Sequence, residues 1–337
     1  MEIVDYICLM LILMGVGTIY KRYMDKYDMD NETNEYKLIR KYLLNNSSIT
    51  KEKKPIIWIH IPYEYNSRKW ESFYSRGSMD LNQPYQNLTI RSIIDHNPDF
   101  HVCLIDDSSF KNLLPGWVID ISKAGEPVKS QLRQLGLFKL LHVYGGMIVP
   151  SSFLCMRDLS VFYDEAVRGD KPFVAENRNT AFTGNSNAVE FMPDVSFMGA
   201  PKDNDVIKDL CKFTEKIIST DSTDESTFLG EYSKWCLQKY QRKSMNIING
   251  RLIGTKDIMN RYVDVEDLLS EKTIDLETTN KLVGIYIPSK ELLSRQSLNW
   301  FCNLGMNDIL TANNLLSKYF NLAVTNVNTN ARHKKFR

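Results

Sequence analysis

The apolar positions of residues 126–159 predict a buried helix that ends at a pair of glycines. Between residues 131 and 144, apolar side chains recur at helical spacing and widen into a nearly continuous stripe, which is typical of a mostly buried helix. Gly145 and Gly146 follow directly. Glycine adopts the left-handed conformation that closes a helix C-terminus, so the pair is predicted to end the helix.

A short strand and a loop of small residues are predicted next. Residues 147–149 read Met-Ile-Val, a β-rich apolar run, and Pro150 ends it. Ser151 and Ser152 then lie just beyond the carboxyl end of the strand. Open α/β sheets bind their ligands at this edge, so a site is expected here.

The remaining hydrophobic pattern alternates between strand-like and helix-like segments, which predicts an α/β fold. Residues 55–62 form a continuous apolar run ended by proline, as expected of a central parallel strand. Residues 254–257 and 288–295 are predicted to be surface turns. The other predicted elements are helices at 88–95, 205–218, 230–240 and 307–320, and strands at 100–105, 171–176, 192–201, 245–253 and 283–287.

The succession of a helix, Tyr144-Gly145-Gly146, a strand and a small-residue loop resembles the core of the DXD sugar-transferase family. These proteins are nucleotide-sugar glycosyltransferases of the GT-A type. The resemblance implies a GT-A-like, single Rossmann-like mixed sheet flanked by helices. Aligned on the paired glycines, the family's helical Asp and Arg fall on Gln134 and Leu137, and the two aspartates of DXD fall on Pro150 and Ser152. The motif is therefore degenerate in this chain.

A nucleotide-sugar donor is the ligand that the resemblance implies. The residues expected to bind it are His60, Ile61, Pro62, Lys129, Arg133, Gln134, Gly145, Gly146, Ser151 and Ser152. A structural role at the end of its strand is the alternative for His60. No divalent metal such as manganese is expected at the DXD positions, because proline offers only a carbonyl and serine a weakly ligating hydroxyl. Lys129 and Arg133, one helical turn apart, are the cations predicted to stabilise the diphosphate instead.

Four acidic residues are further candidates for chemistry. Asp106 and Asp107 follow a predicted strand and suggest a metal site, or alternatively a cap on a helix that begins near Phe110. Glu176 and Asp194 are candidate catalytic residues that would act as a general base or orient an acceptor hydroxyl. The alternative for both is a solvated loop charge.

Composition and charge argue against nucleic-acid binding and against a fold held by metal ions or disulfides. The chain has 337 residues, is 43% hydrophobic, and carries a net charge of +1, so no global field attracts nucleic acid. Its six cysteines are scattered without a metal-binding or disulfide pattern and are predicted to be reduced, mostly buried thiols.

The two ends of the chain differ from its middle. Residues 1–22 are predicted to be a single-pass hydrophobic membrane anchor, with a signal peptide or a buried helix as alternatives. The basic residues that follow favour a cytosolic main domain, whereas anchored glycosyltransferases often face a lumen, so both topologies stay open. The predicted segments after the anchor are a polar stem at 23–54, the GT-A-like core at 55–220, a C-terminal α/β extension of the same domain at 221–325, and a basic tail at 326–337.

Three functions agree with these features. The first is transfer of a sugar from a nucleotide-sugar to a glycan or protein acceptor without the standard metal site. The second is a catalytically inactive GT-A-fold relative that acts as a membrane-tethered binding or structural protein. The third is a membrane-tethered structural or assembly protein that binds no ligand, which is consistent with the lack of an intact site motif.

Overall fold

The computed structural model describes residues 54–61, 83–178, 191–220, 225–272 and 274–335. All of them belong to the unit that spans residues 53–337. The predicted anchor, residues 23–53 of the predicted stem, and Pro62 lie outside the described residues. Within the described residues, no helix combines the length and the apolar character needed to cross a bilayer.

The strands of the described residues form one sheet of six strands and one of two. The larger sheet has the order β2-β1-β3-β6-β5-β7, and β4 pairs with β8 in the smaller one. The bounds are β1 Ile56–His60, β2 His101–Ile105, β3 Gly146–Ile148, β4 Phe153–Cys155, β5 Phe173–Arg178, β6 Phe191–Ala200, β7 Asn246–Ile248 and β8 Gly284–Tyr286. As predicted, β1 is an inner strand, and it pairs in parallel with both β2 and β3.

Helices flank this mixed sheet and fill most of the C-terminal third. They are α1 Tyr85–His96, α2 Ser109–Leu113, α3 Val128–Tyr144, α4 Ser160–Ala166, α5 Asp205–Ser219, α6 Glu225–Gln241, α7 Val265–Leu269, α8 Ser289–Ser294, α9 Met306–Thr311 and α10 Leu315–Lys335. Within the described ranges, three 3₁₀ turns cover Ile121–Lys123, Gly250–Ile253 and Asn299–Asn303. The prediction of an α/β fold is confirmed.

The glycine turn between α3 and β3 fixes the centre of the sheet. Gly145 and Gly146 have φ values of +74° and +94°, which side chains rarely tolerate. A Cβ on Gly146 would collide with the carbonyl oxygen of Ile56 on β1, so β1 and β3 approach each other only because this residue lacks a side chain. The indole nitrogen of Trp58 donates to the Gly145 carbonyl at 3.0 Å and holds the turn against β1.

Strand direction brings several loops to one edge of the sheet, which we call the carboxyl edge. β1, β2 and β3 run in parallel, so their carboxyl ends meet there. β6 runs antiparallel to β3, with Met198 opposite Ile148, and its earlier residues therefore lie beyond the end of β3. The N-terminal turns of α3 reach the same edge, since α3 returns directly into β3.

The C-terminal third packs on the core rather than forming a separate body. Buried side chains of α7, β8, α9 and α10 form one apolar cluster with Tyr85 of α1 and Leu154 of β4. Because Phe153 of β4 pairs with Tyr286 of β8, the smaller sheet extends the fold beyond the carboxyl end of β3.

Four predictions for the C-terminal third were wrong. The surface turn predicted at 288–295 is mostly helix α8, whose Leu292 side chain is buried. The helix predicted at 307–320 is two helices, because the Asn314 side chain accepts from the Ser317 amide at 2.8 Å and starts α10 anew. Of the strand predicted at 245–253, only Asn246–Ile248 forms a strand, which is β7. The Asn249 side chain then caps a 3₁₀ turn. Residues 254–257 are not a surface turn, since Thr255, Lys256 and Asp257 are buried at 2, 8 and 2% exposure.

Candidate functional site

One carboxylate at the carboxyl edge binds two basic side chains. Asp107, which follows β2, accepts from His60 Nε2 at 2.9 Å and from Arg133 Nε and Nη2 at 2.9 and 2.8 Å. The His60 and Arg133 side chains are only 10% exposed, and the His60 ring stacks on Phe110 with centroids 5.6 Å apart. These contacts agree with a structural role for His60, the alternative to donor binding, and its contact with a donor stays a prediction.

The electrostatics of this cluster favour a permanent ion pair. Burial alone would raise the pKa of Asp107, but hydrogen bonds from His60 and Arg133 and the charges of both hold it well below its usual range. Arg133 also lies 3.8 Å from Glu126. The guanidinium is therefore committed to carboxylates of the protein, whereas Lys129, one turn earlier, makes no ion pair with the described residues.

Asp106 caps the following helix, as its alternative interpretation predicts. Its Oδ1 accepts from the Ser109 amide at 2.8 Å and from the hydroxyls of Ser108 and Ser109 at 2.8 and 2.7 Å. Burial opposes ionisation, yet these hydrogen bonds lower the pKa of Asp106. Among the described residues, no three His, Cys, Asp or Glu side chains come together as a metal site.

The serines beyond β3 lie at the carboxyl edge but are largely enclosed. Ser152 is 2% exposed, and its carbonyl accepts from the Ile287 amide at 3.2 Å. The Ser151 hydroxyl lies 3.3 Å from Gln86 Oε1, and its carbonyl accepts from the Thr89 hydroxyl at 2.5 Å. A buried serine beside Pro150 does not fit the divalent cation that the family resemblance implies.

The other predicted donor-binding residues divide between the two edges of the sheet. Ile61 lies at the carboxyl edge, is 8% exposed, and pairs through its amide with the Ile105 carbonyl at 2.8 Å. Gly145 and Gly146 lie at the opposite edge, where β3 begins. Their backbone contacts β1 and the chain after β6, so the structure does not bring them together with the serines.

A cavity of about 300 Å³ opens beyond the carboxyl end of β3. It brings together Gln134 of α3 and Asp194 of β6, two of the residues that the sequence singled out. The side chains around it are mostly aromatic, amide or charged. They include Tyr232, Tyr262, Tyr286, Gln134, Asn177, Arg178, Asp194, Lys290 and Glu291.

A bulge in β6 places Asp194 at this cavity. Val174 of β5 lies opposite Met198, but the next residue, Ala175, lies opposite Asp194, so residues 195–197 loop out of the pairing. The carboxylate is then fixed by the Ser196 amide at 2.9 Å on one oxygen and by the Asn177 amide group at 2.9 Å on the other. Since a carboxylate has about four acceptor positions, Asp194 keeps capacity for a ligand hydroxyl.

One buried polar atom at the cavity, Nε2 of Gln134, has no hydrogen-bond partner within the described part of the chain. Oε2 of Glu291, in contrast, forms an ion pair with Arg295, whose Nη2 lies 3.3 Å away. Buried polar groups are nearly always satisfied in folded proteins, so the Gln134 amide points to a ligand or to ordered water.

The tyrosines of the cavity are neutral. Burial is the main cause that raises the pKa of Tyr262 to about 12 and that raises the pKa of Tyr286 further above its ordinary value. They contribute ring faces and hydroxyl groups, the combination that suits a polyhydroxylated ligand.

Glu176, the second predicted catalytic residue, sits in a different environment. Its Oε2 lies 2.6 Å from Lys256 Nζ and accepts from the Gly250 amide at 3.1 Å. Lys256 is itself 8% exposed and lies 4.1 Å from the centroid of the Phe191 ring. This pair neutralises Glu176 and ties the buried 254–257 segment to β5.

Several cavity residues were missed by the sequence analysis. Arg178, Tyr262, Tyr286 and Glu291 lie in segments without a recognisable motif, and the fold assembles them from three separate stretches of sequence. Pro288 was the one usable signal for them. It ends the strand predicted at 283–287, so Glu291, three residues later, is expected just beyond the end of that strand.

No protein-family model matches the sequence, and no curated protein is significantly similar to it. The solved structures that are similar to part of this chain include two glycosyltransferases. The glycosyltransferase GlyE of Streptococcus pneumoniae TIGR4 is 10% identical, with a TM-score of 0.32 over 59% of this chain and 46% of that chain. The PaToxG glycosyltransferase is 11% identical, with a TM-score of 0.33 over 64% of this chain and 80% of that chain. The match thus spans less than half of the GlyE chain, and the case for a function rests on the cavity itself.

Proposed function

We propose that the chain is a glycosyltransferase-like enzyme that transfers a sugar from a nucleotide-sugar donor to a hydroxyl group of an acceptor. One observation carries the proposal: a cavity lined by tyrosines, amides and Asp194 lies at the carboxyl edge, where the sequence resemblance places the donor. A GT-A-like arrangement of the mixed sheet is part of the same proposal.

In this mechanism the acceptor hydroxyl attacks the anomeric carbon of the donor sugar. The bond from that carbon to the diphosphate oxygen breaks, and the nucleoside diphosphate leaves with the electron pair. Asp194, rigidly held by Asn177 and Ser196, orients the hydroxyl and accepts its proton. Gln134 binds a hydroxyl of the donor sugar through its amide, and Lys129 and Ser151 border the donor at the same edge.

The proposed reaction uses no metal step. The DXD positions are Pro150 and buried Ser152, so cationic side chains must stabilise the leaving diphosphate. Arg133 is a poor choice for that task, because Asp107 already binds its guanidinium through two hydrogen bonds.

An inactive relative is the second candidate. The enclosure of Ser152 and the commitment of Arg133 to Asp107 favour it, since both remove groups that the resemblance assigns to the donor. Such a protein would keep the cavity to bind a sugar or a partner, tethered to a membrane by the proposed anchor at residues 1–22.

Thermal unfolding of the full chain with a panel of nucleotide-sugars, with and without manganese, tests donor binding. A ligand at 100 times its dissociation constant adds about 2.7 kcal/mol to native-state stability, which raises the midpoint measurably. We expect one donor to stabilise the protein equally with manganese and with a chelator. A folded chain that no donor stabilises would contradict the proposed function.

A further inference from the structure

Arg178 is the last residue of β5 and stands exposed at the wall of the cavity. The central carbon of its guanidinium lies 5.1 Å from the centroid of the Tyr262 ring. The ring and a hydrogen bond with the Tyr262 side chain position the guanidinium, and its five N–H groups leave further donors for a ligand.

No carboxylate of the described residues lies within ion-pair distance of Arg178. The two acids that share the cavity are engaged elsewhere. Asp194 accepts from Asn177 and Ser196, and Glu291 has Arg295 at 3.3 Å. The positive charge of Arg178 is thus not neutralised by the walls of the cavity.

Tyr262 does not supply the missing negative charge. Burial, ahead of the nearby charge of Glu291, raises the pKa of its phenol to about 12, so the ring stays neutral at physiological pH. Arg178 therefore rests on an uncharged aromatic face beside a cavity that is large enough for a sugar-sized ligand.

We propose that Arg178 is the anion-binding residue of the cavity and that it binds a phosphate or carboxylate group of the ligand. The forked geometry of a guanidinium matches the paired oxygens of either group and forms two parallel hydrogen bonds with them. The inference rests on the proposed function and deepens it, since it supplies the cation that neither the DXD positions nor Arg133 provides.

Two sources of the anionic group share this chemistry. One is the diphosphate of the donor, whose departure Arg178 would assist by stabilising the leaving charge. The other is an acidic group on the acceptor, such as the carboxylate of a uronic acid, which Arg178 would hold beside Asp194.

Equilibrium binding to the full chain separates these sources. The probes are inorganic pyrophosphate, the donor found by thermal unfolding, glucuronate and, as the neutral reference, glucose. The variants are Arg178→Gln and the matched control Arg242→Gln, which alters an exposed arginine after α6 that does not line the cavity. Both substitutions are on the surface, and an unchanged unfolding midpoint verifies that each variant is folded.

We expect R178Q to weaken one anionic probe at least tenfold, with glucose unaffected and R242Q equal to wild type. Weaker binding of pyrophosphate and donor identifies the diphosphate, and weaker binding of glucuronate alone identifies an acidic acceptor. If wild type binds the donor and R178Q binds every probe equally well, the inference is overturned while the proposed function stands. If wild type binds no donor and no anion, both the Arg178 inference and the proposed function are contradicted.

Discussion

Asp107 organises the residues at the ends of β1 and β2 by accepting hydrogen bonds from His60 and Arg133 together. This meeting was partly foreseeable, because residues 55–62 and 100–105 were both predicted to be strands of an α/β fold and His60 and Asp107 lie at or just after their ends. What the sequence could not reveal is that Arg133 binds the carboxylate rather than a diphosphate. That choice depends on distances between side chains 26 positions apart.

Replacing Asp107 by Asn should destabilise the protein by roughly 2 kcal/mol at neutral pH. The variant leaves the largely buried Arg133 without its main counter-charge, and the cost falls below the roughly 3–5 kcal/mol of a fully buried pair because Asp107 is partly exposed. Denaturant unfolding measures the difference, with the surface variant Asp164→Asn as the control.

The same pair predicts a pH dependence. The pKa of Asp107 is depressed in the folded state, so its stabilisation is present above the ordinary carboxyl pKa of about 3.9 and is lost as the pH falls toward the folded value. The difference in the free energy of unfolding between wild type and D107N should therefore persist near neutral pH and disappear below about pH 4. A difference that persists unchanged well below pH 4 would contradict the ion pair, because protonated Asp107 can no longer balance the charge of Arg133.

At the scale of elements, α3, the glycine turn and β3 were predictable from sequence because their signals are local. Helical periodicity, paired glycines and a β-rich triplet each act over a few residues. The division of the predicted 307–320 helix was not predictable from periodicity, since it depends on Asn314 capping a new helix. The buried segment at 254–257 was missed because its polar residues are satisfied by the distant Glu176.

Gly146→Ala should cost at least about 2 kcal/mol of stability. The residue has a φ of +94°, unfavourable for alanine, and its new Cβ would meet the Ile56 carbonyl oxygen of β1. Denaturant unfolding of G146A measures this cost. Gly125→Ala is the matched control, because a Cβ there meets nothing within 4 Å, and it should be close to neutral. Equal stability of the two variants would contradict the packing described for the turn.

At the scale of the whole molecule, the cavity exists because the C-terminal third closes over the carboxyl edge. Tyr286 reaches it through the pairing of β8 with β4, across more than 130 positions of sequence, and Tyr262 and Glu291 arrive from loops and a short helix beside it. The sequence predicted a ligand site at the carboxyl edge and singled out Gln134 and Asp194 as candidate site residues. It could not supply the opposite wall, because long-range strand pairing leaves no local pattern.

The central claim is that sugar transfer occurs in this cavity with Asp194 and without a metal. The most direct test measures release of nucleoside diphosphate from the stabilising donor by the full chain, with manganese or with a chelator. Asp194→Asn is the test variant and Asp164→Asn the surface control.

We predict that wild type and D164N release product at equal rates in both buffers. D194N should be slower by at least about 100-fold while still showing the donor-induced shift of its unfolding midpoint. Full activity of D194N, or turnover that requires manganese, would contradict this account, and a wild type that binds donor without turnover would identify the inactive relative.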